Sequence, residues 1–161
     1  MEYQKKLNNI IQGVFKGKDD SICDSNNPQS KTADKKKIII IDDDVLSHEM
    51  YAMKFQKSGF DVKAVSTGNE ALDILRNGFN PDIILLDLMI PVMDGFSIYD
   101  LIKKENLAPG AVAIMLTNKG VVSEINKAKE CGFQGYIVKA ITTPAEVVDK
   151  VNKICIDYCK K

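Results

Sequence analysis

The sequence predicts an α/β domain built on a doubly wound, five-stranded parallel sheet. Three observations carry this reading. Five short apolar runs recur between residues 37 and 161, four of them almost continuously apolar, as strands covered on both faces must be. Amphipathic stretches of helical period separate them. Glycines that stop helices and threonines that start them fall at the joints.

The apolar runs are Ile38–Ile41, Phe60–Val65, Ile83–Leu86, Ala111–Leu116 and Tyr136–Val138. Helices are predicted over 45–57, 68–77, 95–104, 121–131 and 144–159. Gly59, Gly78 and Gly132 sit where three of them should end. Thr67-x-x-Glu70 and Thr143-Pro144-Ala145-Glu146 read as capping boxes, the second with proline at the first helical position. Alternating strands and helices imply right-handed crossovers and ligand binding beyond the carboxyl ends of the strands.

Composition narrows the function. Of 161 residues, 45% are hydrophobic and 27% charged, which suits a packed core. Lys plus Arg number 22 and Asp plus Glu 22, so the zero net charge removes the electrostatic case for a nucleic-acid binder. No apolar run approaches the roughly 18 residues of a membrane span. The first residues, MEYQKKLNNIIQGVF, lack the apolar core and cleavage site of a secretory signal, so a cytoplasmic location is expected.

Residues 1–36 read differently from 37–161. Leu7, Ile10, Ile11, Val14 and Phe15 recur at helical spacing and predict one short amphipathic helix, marginal on its own. It frays, docks on the main domain or meets a partner. Residues 17–36, GKDDSICDSNNPQSKTADKK, have the composition of a flexible polar linker. The cysteines, at 23, 131, 155 and 159, form no C-x-x-C pair, and one histidine, His48, is too few to complete a zinc site. Cys155 and Cys159 lie four apart on a predicted helix, which leaves a redox role open beside a plain structural one.

The residues that close the strands carry the chemistry. The first strand ends at Asp42-Asp43-Asp44, the third at Asp87, the fourth at Thr117 and the fifth at Lys139. Neighbouring carboxylates repel, and a divalent cation removes that penalty. Oxygen-only ligands with room for water favour Mg²⁺ over Ca²⁺. Asp44 also suits a helix N-cap. An ammonium, a hydroxyl and a cation around one carboxylate make a cradle for a phosphoryl group on an aspartate oxygen.

Around Asp87 the sequence runs Leu85-Leu86-Asp87-Leu88-Met89-Ile90-Pro91-Val92-Met93-Asp94-Gly95. This resembles the receiver domain of bacterial two-component response regulators over roughly 37–161. The acidic pair after the first strand, D-x-x-x-P-x-M-D-G after the third, Thr after the fourth and Lys after the fifth all match. So do the separations: 44 residues from Asp43 to Asp87, 30 on to Thr117 and 22 on to Lys139.

The resemblance implies a flavodoxin-like (βα)5 fold with strand order 2-1-3-4-5. It implies that Asp87 accepts phosphate from a sensor histidine kinase or phosphotransfer protein. Asp42 and Asp43 would hold Mg²⁺, together with the Asp87 carboxylate and the backbone carbonyl of Met89. Thr117 and Lys139 would contact the phosphoryl oxygens, and Tyr136 matches an aromatic switch position. His48 is read as surface filler on the first helix after the opening strand. No output domain is expected after the receiver, so signalling is expected through protein contact over about 121–159, not through nucleic acid or membrane, with a phosphorylation-dependent dimer left open.

Two departures stand out. The family's lysine usually precedes a cis proline, whereas Lys139 precedes Ala140, for which trans is the default. Met89 and Lys119 occupy positions that tune phosphate loss, and a methionine cannot orient water by hydrogen bonding; slow self-dephosphorylation is expected. Two other readings compete. A haloacid-dehalogenase-like phosphatase needs D-x-D-x-T/V, which Asp42-Asp43-Asp44-Val45-Leu46 fails at its last position. A pseudo-receiver, which keeps the fold without phosphotransfer, is opposed by the intact Asp42, Asp43, Asp87, Thr117 and Lys139.

Overall fold

A computed structural model describes residues 1–16 and 35–159, without the side chain of Cys159. The linker expected over 17–36 and Cys23 lie almost wholly outside the described residues.

An N-terminal helix α1 (Glu2–Phe15) precedes five strand–helix units. These are β1 (Lys37–Ile41), α2 (Val45–Lys57), β2 (Asp61–Val65), α3 (Gly68–Arg76), β3 (Ile83–Leu86), α4 (Gly95–Lys104), β4 (Val112–Thr117), α5 (Val122–Glu130), β5 (Gly135–Val138) and α6 (Pro144–Cys159). All strand pairs are parallel, in the order β2-β1-β3-β4-β5. The chain therefore reverses its direction of winding between β1 and β3, which opens a crevice at their carboxyl ends.

Alternation of side chains explains the continuous apolar runs. Ile39, Ile41, Ile84, Leu86, Ala113 and Met115 face one core, which includes residues of α3, α4 and α5. Ile38, Ile40, Ile83, Leu85, Ile114 and Leu116 face the other, with Tyr51 and Phe55 of α2 and Val147 and Val151 of α6. β2, at the edge, alternates exposed and half-buried positions and buries only Val65. It begins one residue later than its apolar run, because Phe60 turns to stack edge-on against Phe55 with ring centroids 5.2 Å apart.

The punctuation acts as the sequence predicts. Gly59, Gly78 and Gly132 take φ of 91°, 95° and 96° just past three helices, a region that suits a residue without Cβ. Thr143 and Glu146 cap each other's backbone N–H reciprocally, at 3.3 and 2.7 Å.

The α1 helix docks. Leu7 is buried in the first core, and Ile11, Val14 and Phe15 pack against it from one stripe, while Tyr3 and Ile10 remain exposed. The helix lies against α5 and β5, and Asn8 Oδ1 accepts a hydrogen bond from Lys150 of α6 at 3.4 Å.

Candidate functional site

Register brings the strand ends together. Ile41 pairs with Leu86, so Asp42 and Asp87 emerge side by side from adjacent strands. Thr117 pairs with Val138, so Thr117 and Lys139 emerge together from the next two strands, β4 and β5. The backbone continues the ladder one step: Asp87 N–H donates to the Ile41 carbonyl at 2.9 Å.

The Lys139 ammonium is the hub. Its Nζ donates to Asp42 Oδ2 in a short contact and to Asp87 Oδ2 at 2.9 Å. Lys139 opens a 3-10 turn, Lys139–Ile141, and no peptide among the described residues is cis, so its bond to Ala140 is trans. The lysine reaches the carboxylates without the proline.

Oxygens of Asp42, Asp43 and Asp87 lie within 4.8 Å of one another. Asp42 and Asp87 are buried, and Asp43 is exposed. Burial pushes the Asp42 carboxyl up from its ordinary 3.8 despite hydrogen bonds from Lys139, and the Asp87 charge adds to the rise. Burial disfavours the charge on Lys139, yet its bonds to Asp42 and Asp87 outweigh that and raise it above 10.5. Three carboxylates thus face a single ammonium. That excess of negative charge and an all-oxygen donor set fit a hard divalent cation.

The surrounding backbone positions the acids. Met89 N–H donates to Asp87 Oδ1 at 3.2 Å, and Asp44 N–H to Asp42 Oδ1 at 3.1 Å. Asp44 itself caps α2 through Ser47, its N–H at 3.4 Å and its hydroxyl at 2.6 Å. Asp94 caps α4 through Ser97 N–H at 2.9 Å. Gly95 is required there: a Cβ would meet the Asp87 carbonyl oxygen at 2.4 Å.

These groups border an open cleft of about 530 Å³ whose lining includes Asp43, Asp87, Met89, Thr117, Asn118 and Lys139. Asp42 lies behind this lining. Thr117 is fully buried as a residue, and its Oγ1 accepts from Lys119 N–H at 3.4 Å. Tyr136 is also buried, and its hydroxyl donates to the Lys119 carbonyl at 2.8 Å. Burial, with Glu124 and Asp87 nearby, holds that hydroxyl well above its ordinary 10.0.

His48 corrects the sequence reading. It is not surface filler: it is 8% exposed, and its Nδ1 lies 2.9 Å from the Asp42 carbonyl. A carbonyl can only accept, so Nδ1 carries the hydrogen. His48 shares its face with Tyr51 and Phe55, three and seven residues on, the other buried residues of α2. Gly120 was also missed, and nothing in its sequence context marked it. Cys155 is buried in the second core.

The receiver-domain model of response regulators matches residues 38–152. This chain belongs to the response regulator receiver family. The DNA-binding response regulator MtrA of Mycobacterium tuberculosis is 32% identical over 117 residues, which cover 73% of this chain and 49% of MtrA. The chain spans about half the length of the curated relatives it matches. A CheY-like receiver domain protein from Methanospirillum hungatei has 25% identity and a TM-score of 0.70, covering 79% of this chain and 98% of that one. Vibrio cholerae CheY4, at 23% identity and TM-score 0.69, covers 75% of this chain and 99% of its own, and shares the fold. A receiver is a phospho-accepting signalling domain of two-component systems, not a turnover enzyme, which sets the phosphatase reading aside. Among the described residues no helix is long and apolar enough to cross a membrane.

Proposed function

We propose that residues 37–161 form a cytoplasmic receiver that takes a phosphoryl group onto Asp87 from a sensor histidine kinase or phosphotransfer protein, and signals by protein contact over about 121–159. The observation that carries this is the placement of Asp87: it lines the open cleft, beside Asp42 and Asp43 within 4.8 Å, with Lys139 Nζ on its Oδ2.

Asp42, Asp43, the Asp87 carboxylate and the Met89 carbonyl would hold Mg²⁺. When bound, the ion supplies positive charge that offsets the charge of the incoming group. An oxygen of Asp87 attacks phosphorus, the bond from phosphorus to the donor imidazole nitrogen breaks, and the electron pair stays on that nitrogen. Lys139 donates to the phosphoryl oxygens, and the Thr117 hydroxyl, drawn toward Asp87, does the same. Tyr136, bonded one peptide further along that segment, is the switch that follows Thr117.

Incubation with Mg²⁺ and a small acyl phosphate, read by intact mass, tests the reading. One phosphate should be added to the wild type and none to Asp87→Asn. Phosphate on the variant would place the acceptor elsewhere; none on the wild type would make this a receiver fold without phosphotransfer.

A further inference from the structure

The surface beside the site is already occupied by the chain's own first helix. Leu7 projects from α1 into a notch whose floor is Gly120. A Cβ at Gly120 would lie 2.6 Å from Leu7 Cδ2, and 3.6 Å from Val138 Cγ2. Leu7 is 3% exposed, in the same core as Tyr136 and Val138. The notch therefore exists because residue 120 has no side chain, and a γ-branched residue of α1 fills it.

The notch is wired to the cleft by four consecutive residues. Thr117 lines the cleft and its hydroxyl accepts from Lys119 N–H. The Lys119 carbonyl holds the buried hydroxyl of Tyr136. Gly120 follows directly and meets Leu7. The Thr117 hydroxyl can donate to a phosphoryl oxygen while still accepting from Lys119 N–H; drawn toward Asp87, it lengthens that contact, already 3.4 Å, and so pulls on the peptide that forms the notch.

We propose that α1 is an intramolecular occupant of the α5–β5 face, seated when Asp87 is unmodified and released when the cleft is loaded, so that the face becomes available to a protein partner only then. This rests on the phosphotransfer reading above. Coupling of this kind is reciprocal: what loading does to the seating of α1, the seating of α1 does to the affinity for the phosphoryl group.

A 14-residue helix is marginal in water without its seat, so its amides report the seating directly. The full chain is followed by hydrogen exchange with and without Mg²⁺ and beryllofluoride, a reversible phosphoryl analogue. Loading should speed exchange across residues 2–15 at least tenfold. Leu7→Asp should exchange fast without loading and bind beryllofluoride more tightly than wild type. Gly120→Ala, which closes the notch from the other side, should also exchange fast unloaded.

Loaded wild type that keeps its protection across 2–15 would overturn the coupling, as would unloaded Leu7→Asp and Gly120→Ala proteins that keep theirs. Protection of α1 that rises with protein concentration would seat the helix on a second copy and overturn the intramolecular assignment. If the mass test adds phosphate at Asp87 and exchange does not change, this inference alone fails. If no phosphate is added, the phosphotransfer reading fails and the coupling with it.

Discussion

His48 Nδ1–H donates to the Asp42 carbonyl at 2.9 Å, tying the second turn of α2 to the peptide that carries the buried carboxylate. A histidine with no place in the cradle thereby fixes the backbone from which the cradle's deepest acid springs. Replacing it with alanine removes the donor and leaves the carbonyl short of a partner. His48→Ala should lower stability by about 1–3 kcal/mol in urea unfolding and weaken Mg²⁺ binding in titration, with Asp42 itself unchanged.

Asp42 carries a charge the fold does not favour. Its carboxyl is raised above 3.8 by burial, so ionising it in the folded state works against folding. The sign follows: its favourable contribution is complete below about 3.8 and is lost as pH rises through the folded-state value. Asp42→Asn should therefore stabilise the metal-free protein at pH 7 in urea unfolding. The same substitution should abolish stabilisation by Mg²⁺. A variant less stable than wild type in chelator would contradict the sign.

Divalent cation should act on stability by mass action alone. With free Mg²⁺ at about 100 times its Kd, the gain over chelator is about 2.7 kcal/mol. Asp43→Asn should lose most of it. Asp43 is exposed, and its side chain makes no hydrogen bond among the described residues, so its removal tests the ion and not the fold.

Val92 sits at φ 71° in the loop between β3 and α4, fully exposed. A β-branched residue there is strained by about 1–3 kcal/mol. Glycine removes the strain but adds about 0.5–1 kcal/mol of chain entropy to the unfolded state. Val92→Gly should come out stabilising by about 1 kcal/mol in urea unfolding.

Met89 lines the cleft, 56% exposed, with a thioether that has no hydrogen to donate, and Lys119 Nζ is engaged by Glu124 Oε1 at 3.2 Å. Neither is placed to orient water toward Asp87. The acyl phosphate on Asp87 should persist for minutes or longer, followed by intact mass after donor removal. Met89→Asn, which supplies a donor and an acceptor, should shorten the lifetime on the order of tenfold.

Asp42, Asp43, Asp87, Thr117 and Lys139 were legible without coordinates because a buried parallel sheet writes itself as continuous apolar runs. The residue that ends each run must then stand at the ligand-binding edge. Helix limits were equally legible where a cap or a stop residue had a local mechanism, as at Thr143 and Gly132. Helix α2 shows where that logic stops. Leu46, Met50 and Met53 are apolar and exposed, while His48 is polar and buried, so side-chain character points to the wrong face.

The sequence by itself determined the strands and the acids, hydroxyl and amine at their ends, because each of these is set by local periodicity and by where apolar runs stop; the strand order followed from the family resemblance. Only the tertiary structure decided that His48 faces inward onto Asp42, that Lys139 spans both carboxylates across a trans peptide, and that Leu7 fills the notch above Gly120. Each of those depends on which surfaces meet across more distant stretches of chain, or on how a backbone turns at one point, and neither is encoded by any residue's own neighbours.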